Sequence, residues 1–336
     1  MLETLVRTVE DGGHLSMPQM SEALGLIMDG HANEDQVARL LLALRRKGET
    51  VAEVAGAALA MRARMTRIRT TRTDVIDTCG TGGDGARTFN ISTAAALVTA
   101  AAGLPVAKHG NRGITSRSGS ADVLAALGVN IQAGVACVEA CLEELGICFC
   151  FAPLLHDAMK HVAPVRKRLG VPTIFNILGP LANPAGAAMQ LLGVGRAPLR
   201  PLLAEALARL GARRALVVHG SDGLDEVTLA GATHVTEAVQ GSLREFQWQP
   251  ADFGLQPASL QSLLVDGPQQ SAAMIQAVLS GRRGPARDVV LLNAAAALWT
   301  AGRGRSLAQC VGQAAEAIDS GAAATLLRRL AERTNA

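Results

Sequence analysis

Apolar positions recur at three- and four-residue intervals through the first seventy residues of the chain. Ala38, Leu40, Leu41, Leu42 and Leu44 keep helical spacing, Gly48 interrupts it, and Val51, Val54, Ala55 and Ala58 resume it. The cations Arg45, Arg46 and Lys47 stand where such a helix would end, next to the negative end of its dipole. No two-residue alternation breaks the stretch, so it predicts a helical unit.

The pattern changes at about Val75. Val75-Ile76-Asp77 is a short apolar strand that runs into the Gly-rich turn Gly80 to Gly85. A helix is predicted from Ser92 to Ala102, closed by Gly103. Leu104-Pro105-Val106-Ala107 predicts the next strand, and Ser120 to Leu127 the next helix, closed by Gly128. Ile147-Cys148-Phe149-Cys150-Phe151 is apolar throughout and predicts a buried strand. Ala215-Leu216-Val217-Val218 predicts another, ending at His219-Gly220. Strand, loop and helix in succession predict parallel α/β architecture, whose ligands gather at the carboxyl ends of strands. The stretch 241–270 is more polar, and no regular element is assigned to it.

Composition narrows the classes of partner. With 49% hydrophobic and 18% charged residues the chain is not a disordered one. Aromatics make up only 2%, Tyr is absent and the net charge is +3, a poor basis for stacking or tracking nucleic acid. Small anions need only a local cluster of cations and stay open. The six cysteines, at 79, 137, 141, 148, 150 and 310, show no C-x-x-C spacing and read as reduced thiols. The apolar runs break before the roughly 18 residues of a membrane helix, and the first residues lack the basic and apolar regions of a secretory signal. The expectation is a cytoplasmic protein without a membrane segment.

The candidate chemistry lies in loops after strands. In the first, Gly80-Thr81-Gly82-Gly83-Asp84-Gly85 precedes Arg87-Thr88-Phe89-Asn90-Ile91-Ser92-Thr93. The glycines let backbone amides approach a phosphate, and Asn90 or Ser92 is placed to cap the next helix, whose N-terminus adds donors. The G-x-G-x-x-G match does not make a dinucleotide site. Lys108-His109 stands where the second strand would need an acid for a ribose diol. No Gly-Lys-Ser/Thr follows, so it is not a P-loop either.

The second loop, Lys108 to Ser120, combines three permanent cations with hydroxyl and amide side chains and three glycines, and then opens a helix. It is a second anion cradle. Two cradles at neighbouring strand ends suit a substrate with two separate phosphate groups. The third segment, His219-Gly220-Ser221-Asp222-Gly223-Leu224-Asp225-Glu226, brings three carboxylates together without a cation, as suits a hard metal ion. The fourth runs from His156 through Arg166 to Gly170. Arg166 and Lys167 point differently on a helix, and a single Arg there has the fork to grip a carboxylate.

Taken together these segments resemble the anthranilate phosphoribosyltransferase family. GTGGDG with NIST, KHGN with SGSAD, VAPVRKRLG with FNILGPLANP, and HGSDGLDEV occur in that family's order and spacing. The early MDGHANEDQVARLLLALRRKGETVAEVAG and the late GAAATLL extend the likeness over nearly the whole chain.

The resemblance implies a small N-terminal helical domain, here 1–72 joined by a helical segment near 160–182, and a large α/β domain, 73–336, with a central mainly parallel sheet. It also implies a homodimer formed through the helical domains. Phosphoribosyl pyrophosphate would be the donor, anthranilate the acceptor and Mg²⁺ the cofactor. The donor positions it implies are Gly80, Gly83, Asp84, Thr88, Asn90, Ile91, Ser92 and Thr93 in the first loop. In the second they are Lys108, His109, Gly110, Asn111, Arg112, Thr115, Ser116 and Ser120. Gly80, Asn111, His109, His156 and Arg166 match acceptor positions, and Ser92, Asp225 and Glu226 match the metal positions. Lys108 and Arg166 would carry the catalytic charges. The run Gly113-Ile114-Thr115-Ser116-Arg117 and the residue Asp157 depart from the family's usual pattern. The alternatives are an enzyme like pyrimidine nucleoside phosphorylase and a non-catalytic relative that binds nucleic acid.

Overall fold

A computed structural model describes residues 2–113 and 118–336. Four helices come first: α1 (Leu2–Glu10), α2 (Met17–Met28), α3 (Glu34–Lys47) and α4 (Val51–Arg64). Three of them start on a reciprocal cap, in Ser16 with Gln19, Asn33 with Gln36 and Thr50 with Glu53. Each pair satisfies two backbone donors that a helix start leaves open. Glu53 does more than cap. It is buried, pairs with Lys47 at 2.6 Å and accepts the Leu15 amide at 3.0 Å, so one carboxylate ties α4 to the end of α3 and the start of α2.

The α/β unit follows: β1 (Ile76–Gly80), α5 (Ile91–Ala101), β2 (Val106–Gly110), α6 (Ser120–Ala126), α7 (Val135–Leu145) and β3 (Ile147–Phe151). The chain then crosses α8 (Ala152–Leu155), a 3₁₀ turn at Asp157–His161, α9 (Ala163–Leu169) and α10 (Phe175–Leu178). It re-enters the sheet as β4 (Met189–Gly193), α11 (Leu199–Arg209), β5 (Arg214–Gly220), β6 (Thr233–Val239) and β7 (Ser242–Trp248). Helices α12 (Pro268–Leu279), α13 (Pro285–Thr300), α14 (Leu307–Asp319) and α15 (Ala322–Asn335) close it.

Among the described residues the sheet runs β3-β2-β1-β4-β5-β6-β7, parallel from β3 to β5 and antiparallel at β6 and β7. Successive β5 residues feed opposite cores. Leu216 and Val218 join the helices α5 to α7 and α12 to α15, while Ala215 and Val217 join α1 to α4 and α11. A sheet covered on both faces has no polar side, which is why its strands read as unbroken apolar runs. The strand order reverses at β1, so the loop after β1 opens at the switch point of the sheet.

Two expectations shift. The strand at 104–107 lies two residues further on, at Val106–Gly110, so Lys108, His109 and Gly110 end a strand rather than begin a loop. Leu104 and Pro105 are apolar because they are the buried approach to it, and Lys108 lies inside because it finds partners there. Within 241–270 a regular element does occur, β7, joined to β6 by Gln240 and Gly241 at φ 49° and 81°. That pair of left-handed residues makes a tight hairpin turn. The edge strand β7 carries Arg244 and Glu245, which block further pairing and hide the apolar alternation.

Candidate active site

The loop after β1 needs its glycines. Gly82, Gly83 and Gly85 sit at φ 67°, 83° and 70°, a region costly for any residue with a Cβ. Gly80 is needed for a different reason: a Cβ there would lie 2.5 Å from Asp225 Oδ2. Asp84 Oδ1 accepts the Ala86 amide at 3.1 Å and closes the turn. Thr88 bridges to Leu264, and α5 begins at Ile91. Asn90 occupies the cap position without capping, because its side chain bonds Ser118 and Ser271 instead. Thr93 is buried and its hydroxyl has no hydrogen-bond partner among the described residues.

The acidic pair is attached to this loop. Asp225 Oδ2 accepts the Gly82 amide at 2.8 Å, and Glu226 Oε1 accepts the Ser92 amide, at the N-terminus of α5, at 2.9 Å. From β2, Lys108 reaches in beneath them; its Nζ donates to Thr78 O and, at 3.3 Å, to Ser92 Oγ. Burial, reinforced by repulsion from Asp84 and Glu226, pushes the Asp225 carboxyl well above the usual carboxylate range. Burial raises Glu226 to about 7, against the pull of Lys108. Lys108 pulls down only Glu226, while Asp84 pushes up both acids, so the pair is short of positive charge that a divalent cation would restore.

Among the described residues no three His, Cys, Asp or Glu side chains converge to enclose a metal by themselves. The site therefore fits a hard ion that keeps waters and shares substrate oxygens, as Mg²⁺ does. It does not fit a structural metal.

The second loop leaves β2 at Gly110, where a side chain would meet Ser120 Oγ and the Phe149 ring. Asn111, Arg112 and Gly113 are exposed, and Arg112 pairs with Asp122 at 2.9 Å. Asp122 Oδ2 also accepts the amides of Gly113 and Gly119 at 2.9 and 3.0 Å, drawing together the two ends of the loop. Burial raises the Asp122 carboxyl, but those two amides and Arg112 outweigh it and hold it below the usual range. Sequence reasoning assigns Asp122 no role; its place three residues after Gly119, at the helix start, is the signal that could have found it. Ser120 opens α6. Thr115 and Ser116, with Ile114 and Arg117, lie outside the described residues.

The sheet end also holds two histidines. His109 Nδ1 donates to Gly179 O at 2.9 Å, which leaves its Nε2 to accept from His156 Nε2 at 3.2 Å. This tautomer follows from the hydrogen-bond network. Both rings are neutral. Burial, then the neighbouring His156 ring, brings His109 down to about 3, and burial brings His156 to about 4.

On α9 the three cations separate as the helix requires. Arg166 is half-buried, sits 5.5 Å over the Phe175 ring and donates to Asn176 Oδ1 at 3.3 Å. Lys167 is exposed, and Arg168 pairs with Glu34. Among the described residues no carboxylate pairs with Arg166, and burial lowers its pKa, so its charge lacks a counter-ion. Asp157 is exposed and paired with Lys160 at 2.6 Å, which neutralises this departure from the family pattern.

Residues 72–324 match the family described as glycosyl transferase family, a/b domain, and residues 3–65 match the glycosyl transferase family, helical bundle domain. The anthranilate phosphoribosyltransferase of Rhodospirillum rubrum is 53% identical over 98% of this chain and 94% of its own length. The crystal structure of that enzyme from Thermus thermophilus superposes with a TM-score of 0.93 at 44% identity, covering 98% of this chain and 99% of the other. The Saccharomyces cerevisiae enzyme, solved in complex with PRPP and Mg, gives 0.90 at 30% identity over 99% of this chain and 98% of its own. At this identity over nearly its whole length, this chain belongs to the anthranilate phosphoribosyltransferase family.

Proposed function

We propose that the protein transfers the phosphoribosyl group of phosphoribosyl pyrophosphate to the amine of anthranilate, in tryptophan biosynthesis. The products are N-(5-phosphoribosyl)anthranilate and pyrophosphate. The observation that carries this reading is the bonding of the acidic pair to the donor loop, Asp225 to Gly82 and Glu226 to Ser92. It draws the two carboxylates onto the Gly-rich loop and the start of α5, a clustering that suits a metal-pyrophosphate substrate.

The donor contacts are those of Gly80, Gly83, Asp84, Thr88, Asn90, Ile91, Ser92 and Thr93 with the second-loop residues Lys108 to Arg112, Thr115, Ser116 and Ser120. Asp225, Glu226 and Ser92 would hold Mg²⁺, a reading supported by the yeast enzyme's complex with PRPP and Mg. When bound, Mg²⁺ would supply positive charge to neutralise the pyrophosphate leaving group. Lys108 adds a fixed positive charge beside Ser92, in place before charge develops on the leaving group. Arg166 orients the acceptor through its carboxylate, with Asn111, His109, His156 and Gly80 lining the same side. The arylamine nitrogen attacks the anomeric carbon as the bond to pyrophosphate breaks and its electron pair leaves with the phosphate. The extra ammonium proton goes to solvent. Neutral His109 and His156 leave the Arg166 carboxylate contact without competing cations.

The helical domain takes in residues 1–72 and is joined by 160–182. Its core supports this, since Val162, Val165, Ile174 and Phe175 belong to the apolar cluster of α1 to α4. Exposed Leu42 on α3 and Leu59 on α4 support a homodimer through that domain. A cytoplasmic setting agrees with six free thiols, two of them with sulfurs 3.9 Å apart, and among the described residues no helix is long and apolar enough to cross a membrane. The phosphorylase and nucleic-acid readings are not favoured.

Anthranilate fluoresces, so its signal is followed with purified protein, phosphoribosyl pyrophosphate and Mg²⁺, with and without EDTA. Loss of signal that needs both donor and metal is expected. A folded protein that leaves the signal unchanged under all conditions would refute the reading.

A further inference from the structure

The segment that leads into α12 has no role in the reading above, yet it follows the donor loop closely. Leu263 O accepts the Phe89 amide at 2.8 Å, and Val265 N donates to Arg87 O at 3.0 Å. Thr88 and Leu264 form the bridge between these two bonds. The strap is anchored by burial, since Leu263 and Phe89 are almost fully enclosed. At its end Gln270 Oε1 accepts the Asp266 amide at 2.8 Å, and α12 begins.

In the first turn of α12 Ser271 is wholly buried. Its hydroxyl accepts the Asn90 amide at 3.0 Å and donates to Asn90 Oδ1 at 2.8 Å, so its one proton and an acceptor site are both used. Ser118, from the second loop, donates its hydroxyl to the same Asn90 Oδ1 at 2.7 Å. Asn90 Nδ2 returns a bond to Ser118 O at 3.1 Å. The carbonyl oxygen of Asn90 thus receives one hydroxyl from each side and has no lone pair left to cap α5. Helix α12 also packs directly on α6, the helix that the second loop opens. Ser271 therefore sits where both donor-binding loops are braced against one helix.

We propose that Ser271 is a positioning residue for the phosphoribosyl donor: with Ser118 it clasps Asn90 and fixes the spacing between the two phosphate-binding loops. A donor with phosphates at both ends tests that spacing directly. Anthranilate, held on the α9 side, does not. The proposal rests on the functional reading above, and the experiment separates the two.

Phosphoribosyl pyrophosphate with Mg²⁺ is titrated calorimetrically into the wild type, Ser271→Ala and Ser118→Ala, and steady-state rates are measured with each substrate varied. Each variant is expected to bind the donor about tenfold more weakly, the equivalent of about one net hydrogen bond. The KM for anthranilate and kcat at saturating donor should change less than about twofold, a split that general loosening would not give. Because both hydroxyls act through one oxygen, the double variant should lose less than the sum of the two. Wild-type donor affinity in folded Ser271→Ala overturns the clasp. If Ser271→Ala does not fold, Ser118→Ala decides: weaker donor binding supports the clasp and unchanged binding overturns it. A wild type that does not bind the donor overturns the functional reading itself.

Discussion

His156 donates its Nε2 proton to His109 Nε2 across 3.2 Å, and His109 passes its Nδ1 proton to Gly179 O, so two buried imidazoles form one neutral chain. Their folded values, about 4 and about 3, lie below the ordinary histidine value of 6.5. Between those limits the unfolded chain binds protons that the folded chain refuses. The contribution to stability is complete above pH 6.5 and is lost as pH falls through 4. Urea unfolding at pH 7, 5.5 and 4.5 should show that decline, on the order of 3 kcal/mol for His156. His156→Asn should remove about half of that slope, since His109 still titrates. An equal slope in the variant would place the acid sensitivity elsewhere.

In its charged form the acidic pair opposes folding. Asp225 and Glu226 both hold their protons more tightly than usual, chiefly because of burial and then through repulsion from Asp84. Asp225→Asn combined with Glu226→Gln should therefore keep or raise Tm at pH 8, since the amides still accept from Gly82 and Ser92. Turnover should fall by about 100-fold or more as the metal contact is lost. Full turnover with an undiminished Mg²⁺ requirement would remove these residues from the site.

Arg166→Ala should raise the KM for anthranilate by about 30-fold, the worth of a charge-assisted pair near 2 kcal/mol. The KM for the donor should hold. Arg166→Lys should recover only part, because its point charge lacks the planar fork. An effect confined to the donor would contradict the orienting role.

Gly80→Ala probes the spacing between the loop after β1 and the acidic pair. The added methyl would sit 2.5 Å from Asp225 Oδ2, against a side chain that the Gly82 amide already holds. Displacement of that carboxylate should raise the Mg²⁺ concentration for half-maximal rate by about 10- to 100-fold, with little change in Tm. Gly83→Ala differs: nothing lies within 4 Å of its Cβ position, but its φ of 83° disfavours any side chain, so its loss should appear first in Tm. Measuring both quantities for both variants separates crowding from backbone strain.

Local sequence was enough to determine much of this protein. The three- to four-residue periodicity over 1–70 specified helices because each buries one stripe. The apolar runs at 147–151 and 215–218 specified interior strands because a sheet covered on both faces has no polar side. Glycines before a helix specified the tight loop after β1, because left-handed backbone at Gly82, Gly83 and Gly85 needs no distant partner. The order of these segments along the chain was sufficient to suggest the family.

Tertiary structure decided what depends on partners far apart in sequence. Whether Asn90 would cap α5 could not be read locally, because its competitors, Ser118 and Ser271, lie 28 and 181 residues away. Gly80 reads as one more flexible glycine until Asp225, from another strand end, is seen to fill its place. Lys108 reads as a loop cation and is a buried one, because Thr78 O and Ser92 Oγ supply its hydrogen bonds. Short-range pattern records which face of an element is buried; the residue that faces it there is fixed only when the chain folds.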